Sequence, residues 1–133
     1  MLRRVRPRCL IVDDSESFLE MAAASLAGDD LDVVGTATTS AEALRQVAEQ
    51  RPDVVLVDIN LGEESGFELA RILVERFPPL ASGVVLISTR AERDFGGLVK
   101  ASPAAGFVPK LQLSAGAVLE VLASRSLSEH EET

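Results

Sequence analysis

Short apolar runs alternate with amphipathic stretches along the whole chain. The apolar runs predict strands at 8–12, 31–37, 54–57, 84–87 and 106–108, and the run at 54–57 reads Val-Val-Leu-Val. A run that is apolar at every position is typical of a strand buried on both faces of a parallel sheet. Between these runs, apolar residues recur at helical spacing and predict helices at 15–27, 39–50, 65–77, 91–101 and 114–123. Strand and helix therefore alternate five times.

Local signals mark where several of these helices begin and how firm they are. Two capping boxes, in which Ser or Thr precedes Glu by three residues, are formed by Thr39 with Glu42 and by Ser65 with Glu68. Gly96 and Gly97 lie in the middle of the predicted helix at 91–101. Each glycine in a helix interior costs about 1 kcal/mol relative to alanine, so we expect this helix to be soft.

The alternation predicts an α/β fold, a doubly wound five-stranded parallel sheet flanked by five helices. Connections this short allow only right-handed crossover units. The flavodoxin-like order and a minimal nucleotide-binding half both fit the length, and both place ligands at the carboxyl edge of the sheet. No Gly-x-Gly-x-x-Gly follows the first strand and no Gly-x-x-x-x-Gly-Lys-Ser/Thr occurs in the chain. The sequence therefore gives no sign of a dinucleotide or nucleoside triphosphate loop.

Composition and charge narrow the class of protein. The 133 residues carry a net charge of −8, which argues against direct binding of nucleic acid. The single Cys9 cannot form an internal disulfide, and no apolar run approaches the roughly 20 residues that cross a bilayer. We expect a cytoplasmic protein with a basic tail at 1–7, one domain at 8–124 and a polar tail at 125–133. We expect His130, in that tail, to be solvated rather than a phosphate carrier.

Polar residues follow the predicted strands at the edge where ligands bind. Asp13 and Asp14 follow the first strand, Asp58 the third, Ser88 the fourth and Lys110 the fifth. Two carboxylates ~4 Å apart repel by about 4 kcal/mol at an effective dielectric near 20, which a divalent cation would relieve. Oxygen ligands without His or Cys favour Mg²⁺. Singly, each residue fits a helix cap, a turn or a surface charge, but together they predict a phosphorylation site with Asp58 as the nucleophile.

On these residues the chain resembles the response-regulator receiver domain of bacterial two-component signalling. The likeness covers about residues 8–123 and rests on Leu-Ile-Val-Asp13-Asp14, Val-Asp58-Ile-Asn60, Ile-Ser88 and Gly-Phe107-Val-Pro-Lys110. It implies that Asp58 accepts a phosphoryl group from a histidine kinase or a histidine phosphotransfer protein. It implies that Ser88 and Lys110 contact that group. The Mg²⁺ ligands implied by the resemblance are Asp13, Asp14, Asp58 and the backbone carbonyl of Asn60.

The resemblance also implies a switch. Phe107 would be the switch aromatic, turning inward as Ser88 moves toward the phosphate. Phosphorylation adds about 1.5 to 2 negative charges at one spot and pulls on the loops that carry Ser88 and Lys110, and the soft helix lies between them. We therefore expect a downstream protein partner to bind the face formed by the fourth helix, the fifth strand and the fifth helix.

The chain departs from the family pattern at three places near the predicted site. The loop after Asn60 lacks the Pro often found there, and we expect its acids, Glu63 and Glu64, to crowd the metal site. Leu111 follows the lysine where many members have Pro, so we expect no cis peptide bond at that step. Thr89 is larger than the Ala or Gly that many members carry there. We expect it to affect access of the phosphodonor or water, and hence the lifetime of the phosphorylated state.

The motifs also bear on what the domain is part of. The Val-Pro-Lys-Leu and Asp-Ile-Asn-Leu runs are most similar to the subgroup that usually carries a helix-turn-helix output domain. Few residues follow Ala123, so we expect a stand-alone receiver or a piece of a longer protein. A receiver is a signalling domain rather than an enzyme, beyond its own phosphorylation and dephosphorylation.

Two alternatives of other classes remain at this point. An aspartate-nucleophile phosphatase or phosphotransferase would have an acid where Asn60 stands. A pseudo-receiver would keep the fold as an interaction module and never take phosphate, and the complete acid set with Lys110 argues against it.

Overall fold

A five-stranded parallel sheet with helices on both faces forms the fold in the computed structural model, which describes residues 6–28 and 30–131. The strands are β1 (Arg8–Val12), β2 (Asp32–Ala37), β3 (Val54–Asp58), β4 (Val84–Ser88) and β5 (Gly106–Pro109). Their order across the sheet is β2-β1-β3-β4-β5, and neighbouring strands run parallel. The predicted α/β class is confirmed, and of the two topologies that fit the sequence the flavodoxin-like order is the one observed.

The three central strands are the ones with unbroken apolar runs. Every residue of β3 and β4 is buried, and so are the last four residues of β1. The edge strand β5 differs, because only Val108 in it is fully buried. Val12 pairs with Val57 and Asp58 pairs with Ile87, so the central strands end almost level with one another. This register places the residues that follow the strands side by side.

The helices α1 to α3 each begin at a polar cap. They comprise α1 (Glu16–Leu26), α2 (Ser40–Gln50) and α3 (Gly66–Arg76). Ser15 Oγ accepts a hydrogen bond from Phe18 N, and Thr39 Oγ1 accepts one from Glu42 N at 3.1 Å. The capping box predicted at Ser65 forms only in part. Ser65 Oγ accepts a hydrogen bond from Glu68 N, but the Glu68 carboxylate binds Arg71 instead of reaching back.

The predicted helix at 91–101 is wrong over its first half. A 3-10 turn at Glu92–Phe95 comes first, and only one helical turn follows, α4 (Leu98–Ala101). Gly96 separates the two with a φ of 59°, a left-handed conformation that favours glycine and breaks a helix.

The last helix is longer than predicted. It is α5 (Ala115–Glu131), and it continues well past the expected end at Ala123. Ser114 Oγ accepts a hydrogen bond from Ala117 N at 3.0 Å near its start. Of the basic tail expected at 1–7, residues 1–5 lie outside the described residues, whereas Arg6 donates a hydrogen bond to the carbonyl of Gly28 at 2.6 Å.

Alternation along the strands divides the core into two layers. One layer joins Leu10, Val12, Val55, Val57 and Leu86 to α2, α3 and α4, and the other joins Cys9, Ile11, Leu56, Val85 and Ile87 to α1 and α5. Burial raises the pKa of Cys9 to about 12, so the thiol is inert at neutral pH. Among the described residues no helix is long and apolar enough to cross a membrane.

Candidate functional site

Three carboxylates meet at the carboxyl edge of the sheet. Asp13 follows β1 and is fully buried, Asp58 ends β3 with 5% of its surface exposed, and Asp14 is exposed. One oxygen from each of the three lies within 4.8 Å of the others. The structure thus brings together the acids that the sequence placed after two separate strands.

In each buried acid, one carboxylate oxygen accepts a backbone hydrogen bond and the other faces the site. Asp13 Oδ1 accepts a hydrogen bond from Ser15 N at 2.8 Å, and Asp58 Oδ1 accepts one from Asn60 N at 3.2 Å. These bonds close small turns at the strand ends and fix the direction of both side chains. The two Oδ2 atoms face the shared site.

Lys110 brings a positive charge to those two oxygens. Its Nζ lies 2.6 Å from Asp13 Oδ2 and 3.3 Å from Asp58 Oδ2, and only 13% of the lysine side chain is exposed. The backbone places it there because β5 pairs with β4 as far as Ser88 and Pro109, and Lys110 follows directly. The structure therefore confirms that the ends of the first, third and fifth strands converge.

Phe18 also contacts the lysine, and sequence reasoning missed this contact. The ammonium lies 4.2 Å from the centre of the Phe18 ring, a distance at which the ring face attracts a cation. Phe18 fits the apolar stripe of α1, and that periodicity assigned it to the core. The sequence feature that could have indicated the contact is the position of Phe18 one helical turn after Asp14, in the helix that directly follows the acids.

The charges in the cluster shift the acidity of Asp58. Burial, and after it the neighbouring Asp13 carboxylate, raise the pKa of Asp58 to about 6. Lys110 and the Asn60 N–H act in the opposite direction, but they do not cancel the effect of burial. This carboxyl group therefore keeps its proton to a higher pH than an ordinary aspartate does.

The donor set fits a hard divalent cation. Asp13 Oδ2 is buried and accepts no hydrogen bond of normal geometry among the described residues, although the Lys110 ammonium lies close to it. A buried carboxylate oxygen with unused lone pairs beside two further carboxylates is a set that Mg²⁺ binds through oxygen. That the Asn60 carbonyl completes this set stays a prediction.

Ser88 lies at the end of β4 and is buried, but its hydroxyl is engaged locally. Ser88 Oγ accepts a hydrogen bond from Arg90 N at 3.0 Å. The Thr89 side chain beside it is exposed. The roles of both residues toward a phosphoryl group stay predictions.

Phe107 belongs to a row of three aromatic rings. Its ring centre lies 6.2 Å from that of Phe95, which lies 6.0 Å from that of Phe67 on α3 in an edge-on arrangement. The Arg90 guanidinium lies 5.5 Å above the Phe95 ring. The predicted switch aromatic is therefore half-buried and is linked through Phe95 to the loop that follows Ser88.

The expectation that both loop acids crowd the metal site is wrong for Glu64. Its Oε1 accepts a hydrogen bond at 3.0 Å from the backbone N–H of Ser40, the first residue of α2. The carboxylate is thus bound to a helix N-terminus, where the partial positive charge of the helix favours an acid. The expectation of no cis peptide bond after Lys110 is confirmed, since the described chain contains none.

Comparisons with known proteins agree with this site. A sequence model of the response regulator receiver domain matches residues 9–120. The DNA-binding transcriptional activator DevR/DosR of Mycobacterium tuberculosis is 36% identical over 125 residues, which are 90% of this chain and 56% of that protein. A protein-glutamate methylesterase/protein-glutamine glutaminase of Syntrophus aciditrophicus is 35% identical over 94 residues, 68% of this chain and 27% of that enzyme. The chain thus spans about half or less of these relatives.

Solved structures show the same fold. The signal receiver domain of the putative response regulator NarL from Mycobacterium tuberculosis is 26% identical with a TM-score of 0.75, covering 92% of this chain and 98% of that one. The chemotaxis response regulator CheY4 of Vibrio cholerae, 24% identical with a TM-score of 0.73, covers 91% and 99%. Nothing in these matches favours the pseudo-receiver alternative. This chain therefore belongs to the response regulator receiver domains, which act in the phosphorelay signalling of two-component systems.

Proposed function

We propose that Asp58 of this receiver accepts a phosphoryl group from a phosphohistidine on a histidine kinase or a histidine phosphotransfer protein. The observation that supports this best is the convergence of Asp13, Asp58 and Lys110 in one buried cluster. In the transfer, an Asp58 oxygen forms a bond to phosphorus, the phosphorus–nitrogen bond breaks, and the imidazole leaves with its electron pair. The reaction needs charge neutralisation and positioning more than any further chemistry from the protein.

We propose that Asp13, Asp14, Asp58 and the Asn60 carbonyl hold Mg²⁺. When bound, the ion neutralises charge on the phosphoryl oxygens and favours the ionised form of the acids. Asp58 must be ionised to attack, but burial raises its pKa to about 6 and so opposes ionisation. Lys110, and Mg²⁺ when bound, would favour the ionised, reactive form.

The other two predicted residues would hold the product. The Lys110 ammonium lies 3.3 Å from Asp58 Oδ2, so it is already placed to contact a phosphoryl group on that carboxylate. Ser88 would release its hydrogen bond from Arg90 N and donate its hydroxyl to a phosphoryl oxygen. Because Arg90 also lies over Phe95, this movement would alter the packing around Phe107.

The partner that reads this change would bind the face made by α4, β5 and α5. Half-buried Phe107 and exposed Leu98 lie on this face. DevR/DosR is a DNA-binding transcriptional activator, so we propose that a receiver of this kind controls an output function of that class. We propose the cytoplasm as its location, since the single cysteine is a buried free thiol and no disulfide supports the fold.

Phosphorylation by a small molecule tests the proposal. The protein is incubated with Mg²⁺ and acetyl phosphate, and intact mass is measured for wild type and Asp58→Asn. We expect one added phosphoryl group on wild type and none on the variant, and EDTA should abolish the gain. No Asp58-dependent gain in mass, together with no response to beryllofluoride, would establish the pseudo-receiver alternative instead.

A further inference from the structure

The segment that follows the phosphoacceptor strand is a miniature hairpin. Asn60–Leu61 and Glu64–Ser65 pair as two antiparallel strands, with Asn60 opposite Ser65 and Leu61 opposite Glu64. Gly62 at the tip has a φ of 65°, in the left-handed region that favours glycine. A Cβ at Gly62 would lie 3.5 Å from Asp14 Oδ2, so the hairpin tip passes directly over the acid cluster.

The base of this hairpin is fixed to the phosphoacceptor strand. Asn60 N donates to Asp58 Oδ1, and Gly66 N donates to the Ile59 carbonyl at 2.7 Å. A side chain at Gly66 would collide with the Asp58 carbonyl, so the start of α3 packs against the end of β3. The outer strand of the hairpin, Glu64–Ser65, is exposed, and its backbone pairs with Asn60–Leu61.

The Glu64 side chain connects that outer strand to another element of the fold. Its Oε1 accepts a hydrogen bond from Ser40 N at 3.0 Å, across a separation of 24 residues along the chain. At the same helix end, Thr39 Oγ1 accepts a hydrogen bond from Glu42 N. Glu42 Oε1 accepts one from Thr38 N at 2.8 Å. Ser40 is thus a first-turn donor of α2 that the local capping residues leave for Glu64.

We propose that Glu64 is a positioning residue for the metal site, acting by tying the hairpin to the N-terminus of α2. The tie fixes the outer strand, the outer strand fixes Asn60 by pairing, and Asn60 offers its carbonyl to Mg²⁺. This inference rests on the proposed function, because it gives a role to the proposed metal ligand Asn60. It also explains an acid beside three other carboxylates, because the charge of Glu64 is bound to a helix end and not to the cation.

The neighbouring acid provides a matched control. Glu63 lies in the same hairpin and is exposed, and within the described part of the chain its side chain makes no hydrogen bond or ion pair. Glu63→Ala and Glu64→Ala remove the same charge from the same loop. A purely electrostatic effect on Mg²⁺ would therefore be similar in the two variants, whereas the tie is lost only in the second.

The experiment measures Mg²⁺ affinity by calorimetric or NMR titration and hydrogen exchange of the Ser40 amide. For Glu64→Ala we expect Mg²⁺ affinity to fall by about 3- to 10-fold and Ser40 exchange to rise by a similar factor, the worth of one hydrogen bond. Glu64→Gln keeps an accepting oxygen without the charge and should stay within about twofold of wild type. Glu63→Ala should leave Ser40 exchange unchanged.

Three results would overturn the proposal. Equal losses of Mg²⁺ affinity in Glu63→Ala and Glu64→Ala would assign the effect to charge, as would a glutamine variant that behaves like alanine. Wild-type affinity in Glu64→Ala would show that the hairpin needs no tie. Failure of the proposed function is distinct from all three, because wild type itself would then bind no Mg²⁺ and accept no phosphoryl group.

Discussion

Two regions at the same edge of the sheet are built in opposite ways. The acid region, at the ends of β1 and β3, rests on fully buried strands and on helices of 11 residues with side-chain caps. The segment between β4 and β5 contains a 3-10 turn, a break at Gly96 and a four-residue helix without a side-chain cap. Phosphate chemistry needs fixed geometry, whereas a signal needs a part that can move. We propose that the ends of β1 and β3 meet the first demand and that the segment between β4 and β5 meets the second.

Lys110 and Phe107 join the two regions. Lys110 follows the half-buried strand β5, yet its ammonium lies against acids at the ends of β1 and β3. Phe107 on the same strand contacts Phe95 in the broken segment. We therefore propose that a change at Asp58 would reach the segment between β4 and β5 through β5, a strand that is only partly buried.

The largest effect we expect is a change in protein stability with pH, caused by the raised pKa of Asp58. In the folded protein without metal, burial raises the pKa of Asp58 from 3.8 to about 6. Between these two pH values the native state holds a proton that the unfolded chain has already released. The contribution of Asp58 to the free energy of unfolding therefore falls as the pH rises through that range. The stability of Asp58→Asn relative to wild type should increase by about 2 kcal/mol from pH 4 to pH 7.

Denaturant unfolding in EDTA at both pH values measures this difference. A stability difference between Asp58→Asn and wild type that stays constant from pH 4 to pH 7 would contradict the raised pKa. Saturating Mg²⁺ should reduce the difference by stabilising the wild-type carboxylates.

The next effect concerns how the lysine is held. Replacing Phe18 by Leu removes the ring face near the Lys110 ammonium, and a cation–π contact in a partly buried site contributes about 1 kcal/mol. We expect phosphorylation by acetyl phosphate at saturating Mg²⁺ to slow about fivefold, in line with that energy. Phe18→Tyr keeps the ring and should react at close to the wild-type rate.

The Phe18 contact can be separated from general loss of aromatic packing. Phe67→Leu removes a half-buried ring from the aromatic row, away from the lysine, and should leave the rate unchanged. Equal slowing in Phe18→Leu and Phe67→Leu would show that the ring face over the lysine has no special role.

The smallest effects sharpen the description of the segment between β4 and β5, where two adjacent glycines offer a matched pair. Gly96 has a φ of 59°, so alanine there should destabilise the fold by about 1 kcal/mol or more. Gly97 has a φ of −90° and open space around its Cβ position, so alanine there should stabilise the fold by roughly 0.4 to 1 kcal/mol. Thermal melts of the two variants measure both signs. The same sign for both would show that the break at Gly96 is not a fixed feature.

The sequence predicted best what depends on neighbours along the chain. Unbroken runs such as that of β3 identify buried strands, and the strand ends then place Asp13, Asp58 and Lys110 at one edge. The predicted helix around Gly96 is wrong because a glycine pair in a sequence indicates a cost to a helix but does not show which backbone conformation replaces it. In the structure it provides a left-handed turn that ends the 3-10 segment.

Contacts between distant segments were beyond local reasoning. Glu64 looked like a further charge on the metal site, and only the packing of the hairpin against α2 shows that it binds Ser40 N. Phe18 satisfied the helical periodicity of α1, so nothing in that pattern distinguished it from the core residues beside it. In both cases the deciding partner lies in another element of the fold.

The convergence of the site from three strands has a consequence for folding. Lys110 and Asp58 are 52 residues apart along the chain, and the loops between such contacts must close before the contacts can stabilise anything. A partly folded chain can hold β1, β3 and their acids and still lack the lysine. The proposed contact of Lys110 with a phosphoryl group thus requires the complete sheet, and a ligand that binds only the native state shifts the equilibrium toward it. On the proposed function, a chain in which β5 has not yet paired with β4 would not contact the phosphoryl group through Lys110 and would not signal.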